Sequence, residues 1–207
     1  MHILIWFLAA ACGYLVGGVN LAIVLSRLIY HQDIREAGSK NPGFTNFKRL
    51  YGNRYAWFVF VFDLTKAAVL CVIFGLIFKS MGLGWQRGVA FTGLFVMLGH
   101  SFPVYYRFEG GKGFLVCLSM LWLLDWRAGA IGTGVMVVLL LTLKYMSLAT
   151  MSALTVGAVC LFLFKADVPA AVINACCVLF MIWRHRENIR RLLAGTESKF
   201  SFGSKKK

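Results

Sequence analysis

Apolar residues in this chain gather into long runs separated by polar segments. The runs fall at 3–29, 55–78, 88–106, 113–124, 128–143, 149–164 and 168–183. A helix needs about 20 mostly apolar residues to cross a bilayer, and the runs read as crossings. The fourth, GFLVCLSMLWLL, is short for that task and predicts a tilted, thinned or partly re-entrant helix. Long polar connections at 30–54, 107–112 and 184–207 contrast with short ones at 79–87, 125–127 and 165–167. The pattern predicts an all-α integral membrane protein, a compact bundle of about seven transmembrane helices. It forms one domain over residues 1–207, with 201–207 a disordered basic tail.

Composition agrees with a membrane protein. Hydrophobic residues make up 59% of the chain and charged residues 14%, against about 45–50% and about 25% in soluble domains. The N-terminal stretch lacks the basic start of a signal peptide, and its apolar pattern runs past Cys12 to Val24. It therefore reads as a retained first helix. Six cysteines lie inside apolar runs without a C-x-x-C pair or a histidine at zinc spacing. Neither a disulfide framework nor a metal site is expected.

The net charge of +14 would suggest nucleic acid in a soluble protein. Here the basic residues lie between membrane spans, so anionic lipid headgroups are the expected partner and nucleic acid is not. Threading the seven spans puts 18 of the 22 lysines and arginines on one side, leaving Lys79, Arg87, Arg127 and Lys165 on the other. Positive charge marks the cytoplasmic side, which predicts an outward N-terminus and a cytoplasmic C-terminus. Spacings such as Gly13-x-x-x-Gly17, and Gly132 with Gly134, suit close helix packing.

Three polar segments fall on the basic side. In AGSKNPGFTNFKRLYG (37–52), turn-forming residues expose backbone N–H groups, and Ser39, Thr45, Asn46, Lys48 and Arg49 add donors and charge. In GHSFPVYYRFEGGKGF (99–114), Gly110, Gly111, Lys112 and Gly113 open onto a helix. N–H donors, a helix N-terminus and a cation suit a phosphate, although no Walker A sequence is present. In WRHRENIRRLLAGTESKF (183–200), the arginines fit a juxtamembrane stop signal, but His185, Asn188 and Glu197 do not. Asp63 and Lys66, three apart in the second span, are expected to satisfy each other. Ser147 and Thr150 face one side after the fifth span.

These segments, in this order, resemble the bacterial acyl-phosphate:glycerol-3-phosphate acyltransferases of the PlsY type. GSKNPGFTN, GHSFPVYYRFEGGKG and HRENIRRLLAGTE match the family's three cytoplasmic signatures, and DIREAGS, FDLTK and KYMSLAT also look like family segments. Lys40, Phe44, Ala67 and Glu109 depart from the usual pattern; Phe44 adds bulk and Glu109 negative charge near the expected anion site. The resemblance implies transfer of an acyl group from acyl phosphate to the 1-hydroxyl of sn-glycerol 3-phosphate. It implies no cofactor, a place in the bacterial inner membrane with the site facing the cytoplasm, and a further partner in the enzyme that makes the acyl phosphate. It places Ser39, Thr45, Asn46, Arg49, Gly110, Gly111, Lys112 and Gly113 around phosphate. Lys112, His100, Ser147, His185 and Asn188 would be catalytic, supported by Glu197, Asp63 and Lys66. No histidine carries the H-x-x-x-x-D element of acyl-CoA-dependent acyltransferases: Glu36, Tyr105 and Arg190 stand five places after His31, His100 and His185. Two other classes remain open: a transporter of a phosphorylated solute, which should carry mid-membrane charges, and an inactive relative acting as a scaffold.

Overall fold

The structure, a computed structural model, describes residues 2–201; the basic tail at 202–207 lies outside the described residues. The regular structure among the described residues is all helical: α1 (His2–Gly18), α2 (Leu21–Tyr30), α3 (Phe44–Tyr51), α4 (Asn53–Ser80), α5 (Trp85–Ser101), α6 (Phe114–Leu124), α7 (Trp126–Thr142), α8 (Met146–Leu163), α9 (Val168–Arg184) and α10 (Arg186–Leu193). Short 3₁₀ turns at Ile34–Glu36 and Val104–Tyr106 lie in the two long loops. Among the described residues, four helical stretches have the length and apolarity of a membrane crossing, and α9 with α10 adds a fifth, bent by 57°. Outward-facing Phe58, Val61, Val69, Ile73 and Leu76 on α4 have no protein to cover them, as expected of a lipid-facing helix.

The short fourth run becomes α6, and packing explains its brevity. Its eleven residues span only about 16 Å, yet Leu115 to Leu121 are all buried. Contacts with α4, α5, α7, α8 and α9 surround it. A helix shielded by five longer ones need not match the bilayer thickness, and its N-terminus therefore starts at the floor of a recess.

Two sets of helix ends separate. Trp85 and Gln86 at the start of α5 donate to the carbonyls of Leu123 (3.0 Å) and Leu124 (2.9 Å) at the end of α6. Arg87 pairs with Asp167 at 3.1 Å, and the Asp167 N–H donates to the Gln86 side chain. Asp125 and Asp167 cap α7 and α9 there by accepting from N–H groups of the first turn. The long polar loops meet at the opposite ends of the same helices.

The expected first span is not one helix. It breaks at Val19–Asn20, where Asn20 caps α2 and donates to the Pro42 carbonyl at 3.0 Å. The break leaves the Val19 carbonyl free of the helix ladder, and Lys66 takes it at 2.8 Å. The glycine spacing in α1 does serve packing. A side chain at Gly17 would meet the Val96 backbone of α5, and one at Gly99 would overlap the Tyr14 carbonyl of α1. The two backbones therefore touch directly.

Candidate active site

Asn46 organises the first polar loop. Its side-chain oxygen accepts from the Ser39 N–H (3.0 Å), and its amide nitrogen donates to the carbonyls of Ala37 (3.1 Å) and Ile34 (3.4 Å). Gly38 at φ +59° passes so close to that amide that any side chain would strike it. Asn46 was expected to bind phosphate; its amide is instead spent on the loop that presents Ser39, Thr45 and Arg49. Among the described residues, neither the Thr45 hydroxyl nor the Arg49 guanidinium has a hydrogen-bond partner, and both line the cavity described below.

The second loop is braced from two sides. Arg35, paired with Asp33 at 2.7 Å, donates to the Tyr106 carbonyl at 2.8 Å. Arg184 donates to the carbonyls of Gly110 (2.9 Å) and Gly111 (3.1 Å). The N–H groups of Gly110 and Gly111 donate to the carbonyls of Ser101 (3.2 Å) and His100 (3.0 Å). These two glycines were expected to offer N–H groups to phosphate. They do not: both N–H groups are consumed in a backbone pairing so tight that a side chain at Gly110 would overlap the His100 carbonyl. Gly113, at φ +82°, caps α6 and lines the cavity. The negative charge of Glu109 lies outside the cavity lining, 73% exposed and 3.4 Å from Arg35.

The third segment turns at His185, between α9 and α10. His185 Nδ1 lies 2.8 Å from the Met181 carbonyl. A carbonyl can only accept, so Nδ1 carries the hydrogen and the neutral ring presents Nε2 as an acceptor. His185 and Asn188 are buried on one side of the turn. Glu197 fixes Asn188: one carboxylate oxygen accepts from the Asn188 amide (2.6 Å) and the Ser147 hydroxyl (2.7 Å), the other from Arg191 (2.7 Å). A carboxylate accepts only, so the Asn188 amide must point its nitrogen at Glu197 and its oxygen at Lys112, whose ammonium donates to it. Burial, reinforced by the nearby Arg191 guanidinium, pulls the Lys112 ammonium down to about 8. Burial works to raise the Glu197 carboxyl, but the hydrogen bonds from Asn188, Ser147 and Arg191 outweigh it and hold the group below its usual value.

Beneath the site, Asp63 and Lys66 form the expected pair at 2.7 Å, almost fully buried. Lys66 also lies 3.2 Å from His100 Nδ1. An ammonium only donates, so Nδ1 is the acceptor and the neutral His100 ring carries its hydrogen on Nε2. The two histidines thus hold opposite tautomers, one fixed by a carbonyl and the other by a lysine.

All of this surrounds one cavity of about 620 Å³. Ser39, Thr45, Arg49, Lys112, Ser147 and His185 line its polar part; Phe60, Leu115, Met136 and Leu140, from α4, α6 and α7, line its apolar part. A model of the glycerol-3-phosphate acyltransferase family matches residues 7–195. The chain belongs to that family. The glycerol-3-phosphate acyltransferase of Burkholderia pseudomallei (strain K96243) is 37% identical over 204 residues, 97% of each chain. That of Pseudomonas entomophila is 38% identical, covering 94% of this chain and 99% of its own. Two solved structures of PlsY, an integral membrane glycerol 3-phosphate acyltransferase, superpose well. The glycerol 3-phosphate form gives a TM-score of 0.87 at 32% identity, covering 95% of this chain and 96% of that one. The lysophosphatidic acid form gives 0.83 at 30%, covering 95% of each. This acyltransferase chain is therefore a multi-pass membrane protein of known fold.

Sequence reasoning missed three members of the site. Arg184 and Arg191 were hidden in a basic run that a stop signal explains equally well; only the fold shows them reaching Gly110 and Glu197. Phe200 follows the last helix and carried no motif, yet it lines the cavity.

Proposed function

We propose that this chain moves an acyl group from acyl phosphate to the 1-hydroxyl of sn-glycerol 3-phosphate, releasing 1-acylglycerol 3-phosphate and phosphate. One observation carries the reading: a single cavity is lined both by cations and hydroxyls and by apolar side chains of α4, α6 and α7. A phosphorylated tail and a phosphorylated polyol need that combination. A solute transporter would want free charge at mid-membrane, whereas most of the lining charges here lie in the loops at one end of the bundle and the deeper Asp63 is neutralised by Lys66 at 2.7 Å. The shorter apolar helices α6 and α7, added to the five longer stretches, support seven crossings. The basic excess of the site end supports a bacterial inner-membrane protein whose site faces the cytoplasm.

The step follows from the groups present. The substrate hydroxyl oxygen attacks the acyl carbonyl carbon, the carbon–oxygen bond to phosphate breaks, and the bonding electrons leave with inorganic phosphate. Negative charge grows on the carbonyl oxygen and on the leaving phosphate, where Lys112 and Arg49 meet it. Phosphate is already a good leaving group, so protonation of it is not demanding, and the hydroxyl proton passes to a substrate phosphate oxygen. His185 Nε2, a fixed acceptor, and Ser147 orient the hydroxyl-bearing substrate.

Turnover by purified protein in detergent tests the reading. Palmitoyl phosphate and glycerol 3-phosphate should give lysophosphatidic acid, and palmitoyl-CoA little or none. Comparable rates with both donors would overturn the choice of acyl phosphate, and no turnover with either would leave the scaffold reading standing.

A further inference from the structure

The family match ends at residue 195, but the chain beyond it folds back over the cavity. Glu197 anchors the segment through Asn188, Ser147 and Arg191. Three residues later the Phe200 N–H donates to the Lys144 carbonyl at 2.6 Å, at the junction of α7 and α8. The Phe200 ring then reaches across to α3, with its centroid 6.4 Å from that of Phe44 and 4.4 Å from the Lys48 ammonium. Phe44 is held from the other side by Trp57 (5.1 Å) and Phe60 (5.4 Å) of α4. The two phenyl rings thus bridge the α3–α4 wall and the α7–α8 corner.

Their level along the cavity is set by their neighbours. Phe44 lies between Gly43 and Thr45 on the polar rim, and Phe200 is three residues from the Glu197 hub; both line the cavity. Phe44 joins the two kinds of lining, adjoining Thr45 in the chain and packing on Phe60. If the acyl phosphate reading is correct, that junction is where the carboxyl end of the acyl chain must lie. Its phosphate belongs with Arg49 and Lys112, and its tail with Met136 and Leu140. Aromatic rings fixed by other rings do not yield to added width as a lone flexible side chain would.

We propose that Phe44 and Phe200 together set the permitted width of the acyl group next to its carbonyl, admitting straight chains and rejecting those branched near the carboxyl end. The two rings are neighbours at 6.4 Å and bound the same width, so their effects are coupled rather than independent. Specificity for one methyl group in an apolar pocket is about 10–200-fold.

The test compares kcat/KM for straight-chain hexadecanoyl phosphate with that for the 2-methyl-branched homologue, at saturating glycerol 3-phosphate. Wild type should favour the straight chain. Phe200→Ala and Phe44→Ala should each remove part of that preference, which for one methyl group is about 10–200-fold, and the double variant should reduce it no further than the stronger single one. The preference between octanoyl and hexadecanoyl phosphate, which differ far from the carbonyl, should hold. Absence of turnover by wild type with every acyl phosphate would refute the donor reading itself. Turnover with an unchanged straight-to-branched ratio in both variants, or with additive effects, would overturn the width proposal alone. Phe200→Leu separates shape from folding: it keeps apolar bulk, and its preference should fall between wild type and Phe200→Ala.

Discussion

At the scale of single residues, Lys112 is the group on which the proposed chemistry depends most. It is the half-buried cation at the mouth of α6, oriented by Asn188 and through it by Glu197. Lys112→Ala should lower kcat by about 10²–10³-fold or more in folded protein, the usual effect of removing one donor from developing charge. The lysine's lowered affinity for its proton gives that role a pH signature. Its folded value of about 8 lies below its ordinary 10.5, so the ammonium is present below about 8 and lost above it. The free-enzyme profile, kcat/KM against pH, should therefore fall on the basic side from about 8. Lys112→Arg, permanently charged, should be slower but lack that limb; a limb that persists in it would assign the titration elsewhere. His185 tests orientation against proton transfer. Asparagine can still donate to the Met181 carbonyl and offer an oxygen, whereas alanine can do neither. His185→Asn should retain more activity than His185→Ala. Complete loss in both, with glycerol 3-phosphate binding intact, would point to histidine as the base.

At the scale of elements, the spans and the three polar segments were legible because each has a local cause: apolar length in one case, turn chemistry in the other. The break at Val19–Asn20 was not, since an asparagine within an apolar run looks like a tolerated polar residue until Pro42 is seen to accept from it. The same limit explains Gly110 and Gly111. Glycines before a lysine suggest free N–H groups for an anion, but they also suit a strand-like pairing with the preceding helix end, and only the tertiary contact with His100 and Ser101 decides. Asn46 is a third case, a polar residue with a loop to hold. The α1–α5 contact was legible as a small-residue spacing and carries a prediction of its own. Gly99→Ala would press a methyl group into the Tyr14 carbonyl, an overpacking that typically costs about 1–3 kcal/mol. Thermal unfolding in detergent should occur at lower temperature for Gly99→Ala. Gly134→Ala, where nothing lies within 4 Å, should be neutral or slightly stabilising through better helix propensity. Equal melting of both variants with wild type would mean the α1–α5 backbones are further apart than described.

At the scale of the whole molecule, charge and architecture make the same statement by separate routes. The seven-span threading of the sequence assigns eighteen of the chain's 22 lysines and arginines to one side, the side of the long connections, and among the described residues those long loops line the cavity. At the far end two of the four cations are neutralised: Arg87 pairs with Asp167, and Arg127 with Asp125 at 2.7 Å. Basic residues near span ends resist translocation across the membrane, so the site end should stay inside the cell, where a soluble phosphorylated polyol can reach it. A fluorescent reporter joined after Lys207 should be bright and an alkaline phosphatase reporter there inactive. A cysteine introduced at the far-end turn, at Gly82, should react with a membrane-impermeant thiol reagent in whole cells. One introduced at Lys40 should react only after lysis. Both background and structure favour this assay, because five of the six native cysteines are buried or partly so and only Cys176 is exposed, on a face that lipid covers in the proposed arrangement. Labelling of Lys40→Cys in intact cells, with Gly82→Cys protected, would reverse the orientation and place the cavity on the side where no cytoplasmic substrate could enter it.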